Sequence, residues 1–368
     1  MMKVLQVNKL YAPEIGGVET VVKDIAEGLS PHTDMRVLVC RRRGRQSKEV
    51  LNNVKVTRCT SLGVLMSMPL SLDFFRQYRR MSKEADVVQL HAPFPLADLA
   101  LWLYGCKGKL VIWWHSDIIR QKTVLKLLKP FLHHTLKRAD TIIVAAQGTM
   151  TSSEFLPDYA RKCKVIPFGL DFGAYPKLEG SDYLKLKLRN RNSKALLFVG
   201  RLVYYKGLDY LIEAMKSVKN AELFVVGTGP LERELKAKAY HNGRLCNIHF
   251  LGNLPRKALL MAFSGCDIFV FPSCANSEAF GLTQVEAMYY GKPVINTNLP
   301  TGVPDVSIHG ETGLTVPVGD AVALAEAINQ LVHDDELRET YGKNAVARVQ
   351  ACFNRSHMLQ KVYEVYTC

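Results

Sequence analysis

Short, nearly unbroken apolar runs alternate along the chain with longer stretches in which apolar residues return at three- and four-residue spacing. In the first half the runs are Val4 to Val7, MRVLVC, ADVVQLHA, KLVIWWH and ADTIIVAA; in the second they are ALLFVGR, AELFVVG, CDIFVFPS and KPVINT. Apolar runs of this length predict strands covered on both faces, and their alternation with helical patterns (Thr20 to Leu29, GLDYLIEAMKS, LERELKAKAY) predicts parallel α/β sheets. Near residues 168–193 the segment VIPFGLDFGAYPKLEGSD breaks every period and predicts a hinge. The pattern therefore predicts two doubly wound, Rossmann-like domains facing across a cleft, 1–170 and 171–351, with ligands bound beyond the carboxyl ends of the strands.

Composition narrows the classes. At 368 residues the chain exceeds what one core usually supports, and 48% hydrophobic with 22% charged residues is ordinary globular usage. Nine scattered cysteines form no C-x-x-C pair and no zinc spacing, so free thiols in a reducing cytoplasm are expected. No stretch approaches the ~18 apolar residues of a spanning helix and the N-terminus does not read as a signal peptide, which predicts a soluble or peripheral protein. The net charge of +14 is uneven. Residues 1–170 hold 26 Lys+Arg against 14 Asp+Glu and residues 171–368 hold 22 against 20, or +12 and +2. A basic first half calls for an anionic partner, either nucleic acid or a membrane face.

Candidate chemistry lies at strand ends. In ALLFVGRLVYYKGLDYL, Arg201 and Lys206 stand between a strand and a helix, where two cations make a diphosphate clamp; the alternative is two solvated loop cations. In SEAFGLTQVEAM, Phe280, Gly281 and Leu282 open a helix whose amides can face an anion, with Glu278 at its mouth. Glu286, about one turn further in, can accept paired hydrogen bonds from a ribose diol; the competing readings are a dipole-favoured placement for Glu278 and a solvated stripe for Glu286. Gly16 and Gly17 follow the first strand and suit close backbone approach to a ligand, although two glycines also make an ordinary loop. No third glycine follows Gly227 and Gly229, which argues against a nicotinamide enzyme. His115 and Asp117 end a strand without forming a nucleophile elbow. Finally, RQKTVLKLLKPFLHHTLKR sets Leu125, Leu128, Leu132 and Leu136 at helical spacing among lysines, readable as a membrane-surface helix or as a surface helix burying its leucines, with Pro130 as a kink. Arg41, Arg42, Arg43 and Arg45 add a second basic loop.

In combination GGVE, GRLVYYKG, SEAFGLTQVEAMYYGKPV and HGETGLTVPVGD resemble glycosyltransferase family 4, the retaining nucleotide-sugar transferases of GT-B fold, and the resemblance spans nearly the whole chain. It implies that Arg201 and Lys206 neutralise a donor diphosphate, that Glu278 holds hydroxyls of the transferred hexose and that Glu286 grips the ribose. It further implies backbone contacts from Phe280, Gly281 and Leu282, His115 over the donor sugar, Gly16 and Gly17 near the phosphates, and a base-binding loop around Leu251. The segment 352–368 would cross back onto the first domain.

The implied chemistry is front-face transfer through an oxocarbenium-like state, with no metal, no cofactor beyond the nucleotide sugar, and no protein carboxylate as general base. Segments such as WHSDIIRQK are similar to transferases of bacterial surface polysaccharide, or O-antigen type, several of them mannosyltransferases. The expected donor is GDP-mannose, with a UDP-hexose as runner-up. The expected acceptor is a polyprenyl-diphosphate-linked glycan at the cytoplasmic membrane face, met through the basic first half. Rival readings are a nucleic-acid-binding protein, for which no binding fold is recognisable, and a sugar-nucleotide epimerase of the same fold.

Overall fold

The computed structural model describes all residues except 15, 66–67, 118–121, 177, 179–181 and 242–246, and for 122–127 it describes the backbone alone. The chain forms two compact units: Met1–Ala145 with Ser153–Phe168 and Arg355–Cys368, and Ala146–Ser152 with Gly169–Asn354.

The first unit contains strands β1 (Lys3–Val7), β2 (Asp34–Cys40), β3 (Ser47–Leu51), β4 (Val54–Cys59), β5 (Val64–Leu65), β6 (Met68–Pro69), β7 (Val87–Ala92), β8 (Lys109–Trp114), β9 (Thr141–Val144) and β10 (Cys163–Val165). Its helices are α1 (Gly17–Leu29), α2 (Asp73–Glu84), α3 (Pro95–Tyr104) and α4 (Lys122–Arg138). Eight strands form one sheet in the order β10-β9-β8-β7-β1-β2-β4-β3, and β5 and β6 form a separate antiparallel ribbon. Every pairing in the large sheet is parallel except β3 with β4. That hairpin was not anticipated from the apolar runs, because edge strand β3 alternates half-buried and exposed residues. Its turn is Asn52-Asn53, with φ of 47° and 66°, the left-handed pair that matches the twist of a tight hairpin.

The second unit holds α5 (Gln147–Ser152), β11 (Lys194–Val199), α6 (Leu208–Ala214), β12 (Ala221–Val226), α7 (Glu232–His241), β13 (Ile248–Gly252), α8 (Arg256–Gly265), β14 (Ile268–Phe271), α9 (Leu282–Tyr289), β15 (Val294–Thr297), α10 (Val303–Val306), β16 (Gly313–Val316), α11 (Ala321–His333) and α12 (Asp335–Cys352). Its sheet is parallel throughout, in the order β13-β12-β11-β14-β15-β16. The last helix, α13 (Arg355–Thr367), belongs to the first unit, where it lies against α1. Residues 146–152 depart from a division at residue 170. The Gly148 amide donates to Asp305 at 2.9 Å, and its Cα is so close to the Thr301 carbonyl that no side chain would fit.

Both sheets are doubly wound. In each, the first strand (β1 or β11) runs outward through two parallel neighbours on one side, and the chain then crosses to the other side (β7 or β14). The switch points therefore lie between β1 and β7 and between β11 and β14, where loops after adjacent strands diverge and leave room for a ligand. The strands were legible because they are buried on both faces: Val4, Leu5 and Val7 of β1 and Leu196, Leu197 and Phe198 of β11 are all inaccessible to solvent.

Helix α4 runs through Pro130. Leu132 and Leu136 are buried, Phe131 packs edge-on to Trp102 at 5.2 Å, and Lys129, Lys137 and Arg138 are exposed. Its C-terminal half is thus a surface helix packed on the protein. The side chains of Val124, Leu125, Leu127, Lys122 and Lys126 lie outside the described residues. No helix among the described residues is long and apolar enough to cross a membrane.

Candidate active site

At the switch point of the second unit the sequence places cations after β11 and carboxylates after β14, and the strand order makes these loops neighbours. Lys206 ends a single 3-10 turn, Tyr204–Lys206, and its Nζ lies 2.5 Å from Glu278 Oε2. The same oxygen accepts from Ser273 Oγ at 3.2 Å, and the ammonium stands 4.9 Å from the centre of the Phe271 ring. Both side chains are nearly buried, at 13% and 11% exposed, so this is a desolvated ion pair and not two separate surface charges. The sequence suggested different tasks for Lys206 and Glu278; the structure joins them directly.

Gly207 holds this arrangement in place. Its φ of 65° is left-handed, and a β-carbon there would collide with the Pro272 carbonyl at the end of β14. Cys274 N donates to the Tyr205 carbonyl at 2.8 Å, stitching the two loops together. Arg201 is exposed just past β11 and pairs with no carboxylate among the described residues.

Helix α9 begins at Leu282 behind Gly281, whose φ of 83° and close contact with the Phe271 ring exclude a side chain. Phe280 is buried, edge-on to Phe353 at 5.8 Å. Buried Gln284 anchors the helix start by donating to the Phe280 carbonyl at 3.1 Å and accepting from Asn296 Nδ2 at 3.0 Å. Glu286 sits within the helix, where its Oε1 accepts from Tyr175 Oη at 2.7 Å and Arg256 at 3.1 Å. Arg256 lies over the Tyr175 ring at 4.4 Å, and burial, reinforced by the charge of Glu286, pushes the Tyr175 phenol up. Tyr175 and Arg256 were not anticipated; both meet Glu286 across the fold, with no local pattern to mark them. Leu251 is half-buried at the end of edge strand β13, two strands from β11. That separation of ~10 Å is on the scale of an extended nucleotide.

In the first unit, Gly16 caps α1 in an extended conformation and Gly17 opens it with free space where a side chain would stand. His115 follows β8, largely buried in a cluster of near-parallel rings, 6.1 Å from Trp113 and 6.0 Å from Phe168, which are themselves 5.6 Å apart. Its Nε2 is 3.0 Å from Nδ1 of His91, on neighbouring β7. The shortest bond to His91 assigns the tautomers, since Gln6 Oε1 stands 2.7 Å from its Nε2 and the Gln89 amide nitrogen only 3.4 Å from the same atom. Gln6 Nε2 donates to Tyr366 Oη at 2.7 Å, and Tyr366 Oη donates to Gln89. The Gln6 carbonyl oxygen must therefore accept from His91 Nε2–H, at 2.7 Å. His91 Nδ1 is then bare and accepts from His115 Nε2–H, which leaves His115 Nδ1 as an acceptor.

Burial, with the charge of Lys9 adding to it, holds the His115 pKa down to about 3, and burial and His115 hold His91 well below its ordinary value. Both rings are neutral at physiological pH. Lys9 is itself depressed by burial, against the pull of Glu19 and Asp98. Burial likewise pushes Asp98 up to about 7. His91, Lys9 and Tyr366 were absent from the sequence reading; a polar residue at the end of an apolar strand, as in ADVVQLHA, is the signal that would have found His91. A cavity of about 460 Å³ opens elsewhere, over β3, β4 and the end of α2, where Arg36 is already paired with Asp34 and Glu84 and Lys55 with Asp34.

Two family descriptions match: Glycosyltransferase Family 4 over residues 15–173 and Glycosyl transferases group 1 over residues 183–348. The D-rhamnosyltransferase WbpZ of Pseudomonas aeruginosa is 36% identical over 96% of this chain and 92% of its own. The O-antigen chain mannosyltransferase C of Escherichia coli is 31% identical over 100% and 98%. Among solved structures, HepE of Anabaena in complex with UDP superposes with a TM-score of 0.80 over 99% of both chains at 22% identity, which shows the shared GT-B fold. The chain belongs to glycosyltransferase family 4, and is a glycosyltransferase of the O-antigen type.

Proposed function

We propose that the protein transfers a hexosyl group, preferentially mannose from GDP-mannose, with retention of configuration to a polyprenyl-diphosphate-linked glycan at the cytoplasmic membrane face. The observation that carries the reading is the nearly buried Lys206–Glu278 pair at the switch point, flanked by exposed Arg201 and the start of α9. As the bond from the sugar's anomeric carbon to the phosphate oxygen breaks, its electron pair stays on the nucleoside diphosphate. Lys206, Arg201 and the backbone amides of Phe280, Gly281 and Leu282 at the start of α9 stabilise that charge most where it is largest.

The new bond from the anomeric carbon to the acceptor oxygen forms on the same face, and the acceptor's proton passes to the departing phosphate oxygen. Glu278, released from Lys206 as the diphosphate takes over the ammonium, accepts from sugar hydroxyls. Glu286, oriented by Tyr175 and Arg256, accepts from the ribose, and Leu251 borders the base. His115 offers a sugar an uncharged hydrogen-bonding ring, and Gly17 leaves its backbone approachable, while the Glu19 carboxylate stands beside Gly16. No metal or further cofactor is assigned, since the cations and helix amides supply the charge stabilisation the reaction requires.

The donor preference rests on the two relatives. Mannose and D-rhamnose share one ring configuration and differ at C6 alone, so a manno-configured donor is common to both names. D-rhamnosyl transfer is therefore the second reading; a UDP-hexose, as suggested by the UDP complex of HepE, is the third. Purified protein incubated with extracted lipid-linked glycan and, separately, GDP-mannose, GDP-D-rhamnose and UDP-glucose distinguishes them by the mass added. Transfer from GDP-mannose is expected. Transfer from UDP-glucose alone, or epimerisation of a donor without acceptor, would overturn the reading.

A further inference from the structure

Three charged groups at the carboxyl edge of the first unit's sheet take no part in the transfer chemistry described above. Lys9 stands two residues beyond β1, Glu19 lies in the first turn of α1, and Asp98 lies in the first turn of α3, which begins three residues after β7. Strands β1 and β7 are neighbours, so all three groups gather at the unit's switch point. Burial lowers the Lys9 pKa while the charges of Glu19 and then Asp98 pull it back, and the charge of Lys9 is felt in turn by His115. The four side chains therefore share one neighbourhood.

The charges nevertheless stop short of one another. Lys9 and Glu19 are half-buried, and neither the ammonium nor the carboxylate makes an ion pair or a hydrogen bond among the described residues. Glu19 turns back over Gly16, where a β-carbon would collide with its carboxylate, as an acid at the third position of a helix does, but without closing a bond to the cap. Half-buried charges normally find partners, and opposite charges that feel each other across a gap leave room for a bridging group.

The gap selects the chemistry of what fills it. The bridging group must accept from an ammonium and donate to a carboxylate, and a hydroxyl does both at once. An anion is disfavoured, because the cluster sets two carboxyl groups, Glu19 and Asp98, against the single ammonium of Lys9. A neutral polyol is the ligand that fits. In the proposed reaction the donor's diphosphate, ribose and hexose already have their partners, so the hydroxyl is one of the acceptor's.

We infer that Lys9 and Glu19 bracket a hydroxyl of the acceptor's terminal sugar, Lys9 donating to it and Glu19 accepting from it. The inference gives the acceptor of the proposed transfer its contact on the first unit and rests on that reading. The hydroxyl is held and keeps its proton.

The probe is the glycan released by mild acid from extracted lipid-linked glycan. It is titrated calorimetrically into the full chain with GDP present, and then offered as acceptor with GDP-mannose. Lys9→Met should weaken glycan binding by about tenfold or more, and Glu19→Gln by about three- to tenfold, the scale of one hydrogen bond to a charged group. The double variant should bind within about twofold of Lys9→Met alone, since both side chains hold one hydroxyl. Affinity for GDP should stay within about twofold of wild type, and the ratio of sugar passed to glycan over sugar lost to water should fall in step with glycan affinity. Neither side chain has a partner in the fold, so melting temperatures should stay near wild type; the isosteric Glu19→Gln reports alone if Lys9→Met does not fold.

Wild-type glycan affinity in the variants overturns the inference, as do additive losses in the double variant, or equal losses of GDP and glycan binding, which would mark the two residues as structural. A wild type that neither binds nor uses the glycan overturns it as well. If wild type transfers sugar and the variants keep its acceptor KM, the inference falls and the transferase reading stands. Glycan binding that follows the variants in a protein that transfers no sugar does the reverse.

Discussion

The two units wind their central strands in one order and place opposite chemistry at the corresponding edge. At the β11/β14 switch the second unit keeps full charges: Lys206 against Glu278 at 2.5 Å, with Arg201 open to solvent beside them. Beside the β1/β7 switch, on β7 and just after β8, the first unit keeps His91 and His115 neutral by burial and ties them through Gln6 to Tyr366, on the chain's last helix. The comparison teaches that strand order fixes where a ligand is met, while the burial of a few loop side chains decides whether it meets a field or a neutral hydrogen-bonding wall. A departing diphosphate needs the first; a sugar, which carries no charge, is better served by the second.

The largest effect should come from breaking the charged edge. Lys206→Met leaves Glu278 desolvated beside Ser273 alone, and an uncompensated carboxylate in such a place costs roughly 3–5 kcal/mol, toward the lower end here because the pair retains some water. Adding Glu278→Leu should recover most of that stability in urea unfolding but none of the turnover, which should fall by at least about a hundredfold in either variant. A stable and active Lys206→Met protein would mean the second unit's edge does not work by charge.

The next test concerns neutrality. An unfolded histidine takes up a proton near pH 6.5, whereas folded His91 and His115 stay neutral well below that, His115 to about 3. Their contribution to stability is therefore complete above pH 6.5 and is lost as the pH falls toward 3. Asp98, pushed up to about 7, acts in the opposite sense, so the test is a difference between variants. Between pH 6.5 and 4.5, wild type should lose about 2 kcal/mol more than His91→Gln in urea unfolding. Equal slopes would show that His91 titrates normally and that burial does not hold it neutral.

A smaller effect, on the order of 1–2 kcal/mol, is expected for Tyr366→Phe, which strips the Gln6 amide and the Gln89 carbonyl of their shared partner. Its diagnostic readout is ¹⁵N NMR. Wild-type His115 should carry its proton on Nε2, and the variant should show a mixture of tautomers. A single unchanged tautomer in the variant would show that α13 does not set the ring.

Much of this contrast was out of reach from the sequence, for a physical reason. Strands buried on both faces announce themselves as apolar runs, so β1, β2, β7–β9, β11, β12, β14 and β15 were legible. The half-exposed β3 and the short β16 were not. Arg201, Lys206, Glu278 and Glu286 could be picked out because strand-end loops have a local signature. That Lys206 and Glu278 touch depends on β11 lying beside β14, which no local pattern encodes. The neutral edge is less legible still: Gln6 and Tyr366 are 360 residues apart, and a buried tyrosine on a C-terminal helix reads as packing. Glu286 was legible as a ligand carboxylate but its partners were not, since Tyr175 and Arg256 reach it from segments 111 and 30 positions away.

The smallest expected change in stability sharpens the contrast from within the charged edge itself. Arg201 is exposed and pairs with no carboxylate among the described residues, so Arg201→Gln should alter unfolding free energy by less than about 0.5 kcal/mol. Lys206 is built into the fold and its loss should be felt without substrate. On the proposed reaction the donor diphosphate is already a dianion and gains a further charge as the sugar leaves; with Arg201 answering chiefly that gain, its removal should lower kcat about tenfold, some 1.4 kcal/mol, with little change in KM. If KM rises instead while kcat holds, Arg201 binds ground state and transition state alike and belongs to donor capture. If neither moves, the charged edge reduces to the Lys206–Glu278 pair and the amides of α9.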